Sequence, residues 1–303
     1  MPTLPSELER EIFEIAFRSS YQYGGYDENL RRKLGKVATH VQYWISLIRY
    51  EAIDLMLAND LAHYLPLLKR IEPPGLFSIA VKHICIGPSC LVHIGSTCPN
   101  KPWPRVDPIP ALVCILSTCT AVEQFGYYLQ TGLTLRDHDV SQLLPLIRQL
   151  PLKRLGTRYA QFMQVAEIRV AEPPLFPNLT HLSISFYNYE EIEASASSLT
   201  RTVSQFPRLT HFGFHSYKER PSDALLKQFC LAFPSLDAIL ISWKGSQLKP
   251  RDDYCFDERI VQVCLDEKSE RSQSEENEYV WRRADNILAE RKQAAQVAVE
   301  TPL

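Results

Sequence analysis

Apolar residues return along this chain in short alternating runs separated by longer helical ones. In "FPNLTHLSIS", residues 176–185, Leu182 and Ile184 alternate with polar neighbours. Nearly the same stretch returns as "FPRLTHFGFH" from Phe206, with Phe212 and Phe214, and as "FPSLDAILIS" from Phe233, with Ile239 and Ile241. A period of two reads as β-strand. Helical patterns precede the copies: "DVSQLLPLIRQLP", "ASSLTRTVSQFP" and "DALLKQFCLAFP". Each ends on a Leu-Pro or Phe-Pro pair, because proline lacks an amide hydrogen and restricts the residue before it.

The copies keep a rhythm. With Leu179 and Leu182 as anchors, the equivalents are Leu209 and Phe212, then Leu236 and Ile239. Upstream they are Leu152 and Leu155, Val122 and Phe125, and more loosely Val81 and Ile84. Neighbouring copies are 27 or 30 residues apart, with an insertion around 99–110 before the second of them. A unit of that length with one strand and one helix folds only by stacking on its neighbours, as leucine-rich repeats do. The pattern therefore predicts an α/β fold over 51–265, a leucine-rich-repeat-like solenoid with a parallel sheet. The anchors face the helices, and the alternate positions form an open face. Its rows are Gln124, Gly126, Tyr128; Arg154, Gly156, Arg158; His181, Ser183, Ser185; His211, Gly213, His215; and Ala238, Leu240, Ser242. Open solenoid faces receive partners. Tyr128, Arg154, Arg158, His181, Ser183, His211 and His215 are therefore the candidate target-binding residues.

The two ends break the rhythm. Residues 1–50 predict helices: Ser6 caps the first with Glu9 answering in a capping box, and Leu8, Ile12, Phe13, Ile15 and Ala16 form its stripe. After a Gly- and Tyr-rich connector, a second helix runs on from Leu30 through Leu34, Val37, Ala38, Val41, Trp44 and Ile45 to Ile48. "YEAIDLML" then reads as the first strand of the array. Near the other end, 266–278 is acidic and polar and reads as a mobile loop. Over 279–295 a helix puts Val280, Trp281, Ala284, Ile287 and Leu288 on one face, suited to capping the last unit, with 296–303 as a tail.

"LPSELEREIFEIA" resembles the opening of an F-box. "LGKVATHVQYWISLIRYEAIDL" is similar to its continuation in a group of fungal F-box-like proteins. Those proteins also carry degenerate leucine-rich repeats of the "FPxLTHL" kind and end in a Trp-containing helix, to which "YVWRRADNILAERKQ" is similar. The resemblance implies a substrate-recognition subunit of a cullin–RING ubiquitin ligase. It implies that Leu4, Pro5, Leu8, Ile12, Phe13, Val37, Val41 and Trp44 dock a Skp-type adaptor, while the repeats hold a target protein. The other reading is an interaction scaffold whose N-terminal helices merely cap the first unit.

Composition narrows the classes. A hydrophobic content of 45% and a net charge of −2 suit a globular chain with no electrostatic bias towards nucleic acid or acidic lipid. The N-terminus has acidic residues inside its apolar pattern, unlike a signal peptide, and no apolar run reaches the roughly 20 residues a membrane span needs. Eight cysteines scattered among apolar neighbours point to a reducing compartment, cytosol or nucleus. The chain is expected to be a monomer outside its complex.

Candidate chemistry is sparse. "HICIGPSCLVHIGSTC" gathers His83, Cys85, Cys90, His93 and Cys98, but its gaps lack the paired close spacing of a zinc site, so ordinary thiols are the preferred reading. No metal or cofactor is expected. His181 and His211, with His215, read either as a pH-sensitive patch or as ordinary Thr-His steps of the repeat. Lys153, Arg154 and Arg158 either grip an acidic target or form a solvated row. No nucleophile elbow, phosphate-binding loop or His-Glu-x-x-His is present. The chain reads as non-enzymatic, with an unrecognised site in 85–110 as the distant alternative.

Overall fold

A computed structural model describes residues 5–20, 27–70, 74–89, 108–128, 137–159, 162, 176–186, 189–216, 221–244, 257–265 and 273–300. Eight strands form one parallel sheet whose spatial order is the chain order. They are β1 (Ala52–Leu57), β2 (His83–Ser89), β3 (Gln124–Tyr127), β4 (Arg154–Arg158), β5 (His181–Phe186), β6 (His211–Ser216), β7 (Ala238–Lys244) and β8 (Ile260–Leu265). Before the sheet come α1 (Ser6–Arg18), α2 (Glu28–Leu34) and α3 (Thr39–Arg49). Between strands lie α4 (Ala58–Arg70), α5 (Leu76–Ala80), α6 (Pro108–Thr118), α7 (Asp137–Gln149), α8 (Tyr189–Val203) and α9 (Asp223–Ala232), and α10 (Gln273–Glu300) follows the last strand. Among the described residues no helix is long and apolar enough to cross a membrane.

The register aligns the sequence anchors. Ile53, Ile84, Phe125, Leu155, Leu182, Phe212, Ile239 and Ile260 pair strand to strand in one row. All are buried in the main core, together with Leu112 and Ile115 of α6, Leu143 of α7, Leu199 of α8 and Phe229 of α9. A parallel sheet places equivalent side chains about 4.8 Å apart, so such a row forms a continuous apolar ridge for the helices. Just before the strands a backbone ladder repeats the alignment. The amides of Lys82, Glu123, Lys153, Thr180, Thr210 and Asp237 donate in turn to the carbonyls of Glu51, Lys82, Glu123, Lys153, Thr180 and Thr210. At the far end Arg259 caps α9: its guanidinium donates to the carbonyls of Phe233 and Cys230 and pairs with Asp257 at 2.6 Å.

The N-terminal module departs from the sequence reading twice. The residue preceding α1 is Pro5, and no side chain caps that helix. The Ser6–Glu9 box therefore does not form, and the Glu9 carboxylate lies 3.2 Å from His40 Nε2 instead. The expected continuous helix from Leu30 to Ile48 is broken. It stops at Leu34, and α3 begins after an extended Ala38 (φ −163°, ψ 157°). Gly35 is a poor helix former, and the break lets three short helices close on one small core. Phe17, Val41, Ile45 and Ile48 fill that core, with Phe13, Leu34, Ala38 and Trp44 against it. The first strand over "YEAIDLML" is present as β1.

The largest correction concerns α10. It begins at Gln273, inside the stretch expected to be a loop, and runs to Glu300. At 28 residues it is about 42 Å long, against about 34 Å across eight strands. It touches β1 and β2 as well as β7 and β8, so it crosses the sheet instead of capping only its last strand. Val280, Trp281 and Ala284, backed by Ile287 and Leu288, pack on Leu240, Val261, Val263 and Leu265. There β7 and β8 are apolar on both faces, which gives the helix its seat. Arg291 then donates to the carbonyls of Glu258 and Ile260, covering part of the sheet edge.

Candidate interaction surfaces

The eight residues assigned to adaptor docking separate into two groups. Leu8, Ile12 and Val37 are 48%, 52% and 58% exposed, and Pro5 is exposed as well. Phe13 and Trp44 are half-buried against the module core, and Val41 is fully buried within it. Leu4 lies outside the described residues. The sequence reading did not place Ile15 on this surface, though it is the most open of the group at 60%. Leu8, Ile12 and Ile15 stand at steps of four and three, so they share one face of α1. That face is apolar and open, while the opposite face holds Phe13 and Phe17 against α3. The spacing i, i+4, i+7 was the signal for Ile15, but the stripe alone did not tell which of its residues turn outward.

The second surface is the sheet face away from α4–α9. Its first row is His83, Gln124, Arg154, His181 and His211, and its second is Cys85, Gly126, Gly156, Ser183 and Gly213. Tyr128 is buried and lies over the second row. A Cβ on Gly156 would overlap its hydroxyl, and one on Gly126 would meet its ring at 3.1 Å. Trp281 of α10 lies over Gly213 in the same way, 3.1–3.2 Å from where a Cβ would be. Gly156 leaves space for Tyr128 that a Cβ would take, whereas a Cβ on Gly126 or Gly213 would crowd the rings and require them to give by a few tenths of an ångström. This face was expected to be open for a target, but Trp281 occupies its centre and stands edge-on to both His181 and His211.

His181 and His211 are brought together. Their rings stack 4.2 Å apart at 11°, as equivalent positions of adjacent strands allow. Each Nδ1 contacts the hydroxyl of the preceding threonine, Thr180 at 2.8 Å and Thr210 at 2.7 Å. Those threonines bridge to the preceding rung, Thr180 to Lys153 O and Thr210 to Thr180 O. The recurring Thr-His step is thus a local hydrogen-bonding device. Asp285 of α10 reaches His211 Nε2 at 3.0 Å. Burial, with His211 and Arg154 adding to it, pushes the His181 pKa down to about 3. His215 does not join the pair; its Nδ1 meets Ser242 Oγ at 2.9 Å, while Ser183 Oγ lies 3.5 Å from where a Cβ on Gly213 would be.

Arg154 and Arg158 lie on this face of β4, both half-buried, and Lys153 turns away to pair with Glu123 at 2.7 Å. Of the histidine–cysteine cluster, His83 and Cys85 sit on β2, and Cys90, His93 and Cys98 lie outside the described residues. Burial raises the Cys85 thiol well above its ordinary pKa and lowers that of His83, so Cys85 is an unreactive core thiol. Compared with known proteins, the chain matches no protein-family model and no curated protein at a significant level.

Proposed function

We propose that this chain is a non-catalytic recognition subunit. Its N-terminal helices dock a Skp-type adaptor of a cullin–RING ubiquitin ligase. Its sheet and flanking helices, which we read as a leucine-rich-repeat-like solenoid, hold the protein to be modified. One observation carries the docking half of this reading: the open apolar stripe of Leu8, Ile12 and Ile15 on α1, with Val37 exposed in the α2–α3 turn. Among the described residues eight large apolar side chains are exposed, and four of them are these, so the exposure is concentrated in the module expected to bind. The core beneath the stripe, Phe17, Val41, Ile45 and Ile48, supplies a rigid platform. With Trp281 seated over His181 and His211, target recognition falls to the rest of the sheet face, where Arg154 and Arg158 suit an acidic segment.

The other reading, a scaffold whose N-terminal box no longer binds an adaptor, draws on Phe13, Val41 and Trp44, which serve the module's own packing. Co-expression with a Skp-type adaptor separates the two. The wild-type chain is expected to retain the adaptor through affinity purification, and Ile12→Ser/Ile15→Ser is expected to lose it with unchanged circular dichroism. A folded wild-type chain that fails to retain the adaptor would sink the ligase reading and leave the scaffold.

A further inference from the structure

The two stacked histidines are held by one device, and it offers each ring an acceptor for a proton on Nδ1. Thr180 Oγ1 donates to Lys153 O at 3.0 Å, and Thr210 Oγ1 donates to Thr180 O at 3.3 Å. A carbonyl oxygen only accepts, so each hydroxyl uses its single hydrogen there. With the hydroxyl hydrogens there, His181 and His211 each donate Nδ1–H to a threonine oxygen; in the other tautomer the hydroxyl turns to Nδ1 and the ring carries its proton on Nε2. In the first arrangement both Nε2 atoms of the neutral rings are bare lone pairs.

Those lone pairs share a small space with a carboxylate. His181 Nε2 is buried and has no hydrogen-bond partner among the described residues. His211 Nε2 stands 3.0 Å from Asp285 Oδ1, one acceptor facing another when the ring's proton is on Nδ1. All three donor atoms lie within 4.8 Å of one another. A proton on His211 would satisfy the Asp285 contact but leave His181 Nε2 orphaned, a costly state for a buried polar atom. A cation held by all three satisfies every one of them.

We propose that His181, His211 and Asp285 bind a divalent transition-metal ion of the zinc class, pinning α10 to the middle of the sheet. Two imidazoles and a carboxylate are a borderline-soft donor set that suits zinc, and three protein ligands leave a fourth position for water. Donation of the far ring N–H to a fixed oxygen is what orients metal-bound histidine, and here the threonine hydroxyls supply it twice. Tetrahedral zinc needs its donors about 3.3 Å apart; Asp285 Oδ1 already stands 3.0 Å from His211 Nε2, so on binding the two stacked rings must tilt until their Nε2 lone pairs converge. Asp285, 47% exposed on the outer helix, can follow them. Arg154, in register with His181 on β4, opposes a second positive charge and sets the affinity below that of an all-acceptor pocket. The site is independent of the adaptor and target assignments.

Metal-stripped full-length chain titrated with zinc against a chromophoric chelator tests the assignment, with cobalt(II) as the spectroscopic probe. The expected result is one ion per chain and cobalt bands of a tetrahedral nitrogen–oxygen site without thiolate charge transfer. Asp285→Asn and His211→Gln should each weaken zinc at least about tenfold. Asp285 is on the surface of α10, so its substitution tests ligation without disturbing the core. Absence of binding, retention of zinc by both variants, or a thiolate band placing the ion on cysteines would each overturn the site.

Discussion

The two faces of the sheet are built from opposite materials. Towards α4–α9 the strands present large apolar side chains in register, from Ile53 through Phe125, Leu182 and Phe212 to Ile260, each fitting against its neighbours and the helices. Away from them the middle row presents Cys85, Gly126, Gly156, Ser183 and Gly213, and the space is filled by Tyr128 and by Trp281. One face is filled by what each strand carries. The other is filled by rings that approach because the strand carries almost nothing. The first arrangement repeats with every strand. Over Gly213 the second depends on a helix that begins about sixty residues after β6.

This contrast predicts different failures. Phe212 is fully buried, with ring centroids 4.8 Å from Phe214 and 4.7 Å from Phe229. Phe212→Ala should cost about 3–5 kcal/mol and lower the denaturation midpoint of the whole chain. Gly213, the next residue on the same strand, tests the other face. Gly213→Ala crowds a methyl group against Trp281 at 3.1–3.2 Å, and where the ring is held in place overpacking of that kind costs about 1–3 kcal/mol. Its signature should be local: limited proteolysis should release α10 while the sheet stays folded. In the double variant with Trp281→Ala the cost of the methyl should vanish, a coupling measurable by a double-mutant cycle. Equal unfolding of sheet and helix in both variants would erase the distinction between the faces.

The same contrast explains what could be read from the sequence. The helix-facing row was legible because period-two alternation and the Phe-Pro stops recur, and Leu155, Leu182, Phe212 and Ile239 pair as their spacing implies. Assigning His181, His211 and Gly213 to the opposite face followed from the same alternation. The cover on that face was not legible, because no local pattern links Trp281 to Gly213 or Asp285 to His211 across some seventy residues. The glycines were visible, but a glycine in a strand signals close approach without naming what approaches. In the N-terminal module the apolar steps were plain, yet the break at Gly35 changed which residues turn inward. Val41 went to the core, while Ile15 stayed outside.

A smaller effect belongs to the edge that both faces share. The Arg259 guanidinium hydrogen-bonds the Asp257 carboxylate and holds its pKa down to about 2, against an ordinary 3.8. The folded-state pKa is depressed, so the stabilisation is fully present above about pH 4 and is lost as pH falls through 2. Asp257→Asn should cost about 1 kcal/mol at neutral pH, because the pair is partly screened, and should flatten the acid limb between those values. Denaturation midpoints for both proteins from pH 5 to 2 measure it. Parallel acid limbs would mean that Arg259 steadies α9 through the carbonyls of Cys230 and Phe233 without help from the carboxylate.

The smallest effect on stability should come from the stripe on α1, and that is what makes it informative. Over the glycines of the sheet this chain supplies Tyr128 and Trp281, whereas Leu8, Ile12 and Ile15 face outward with no described residue over them. A side chain that is about half exposed loses little when it is made polar, so Ile15→Ser should shift stability by no more than about 0.5 kcal/mol. Val41→Ala, one layer below, should cost several times that because it opens a gap among Phe17, Ile45 and Ile48. The stripe is therefore not needed to hold the module together, and an apolar surface that folding does not require calls for another reason to persist. If Ile15→Ser destabilised the chain as much as Val41→Ala, the stripe would belong to the fold, and the case for an adaptor seated on it would lose its physical basis.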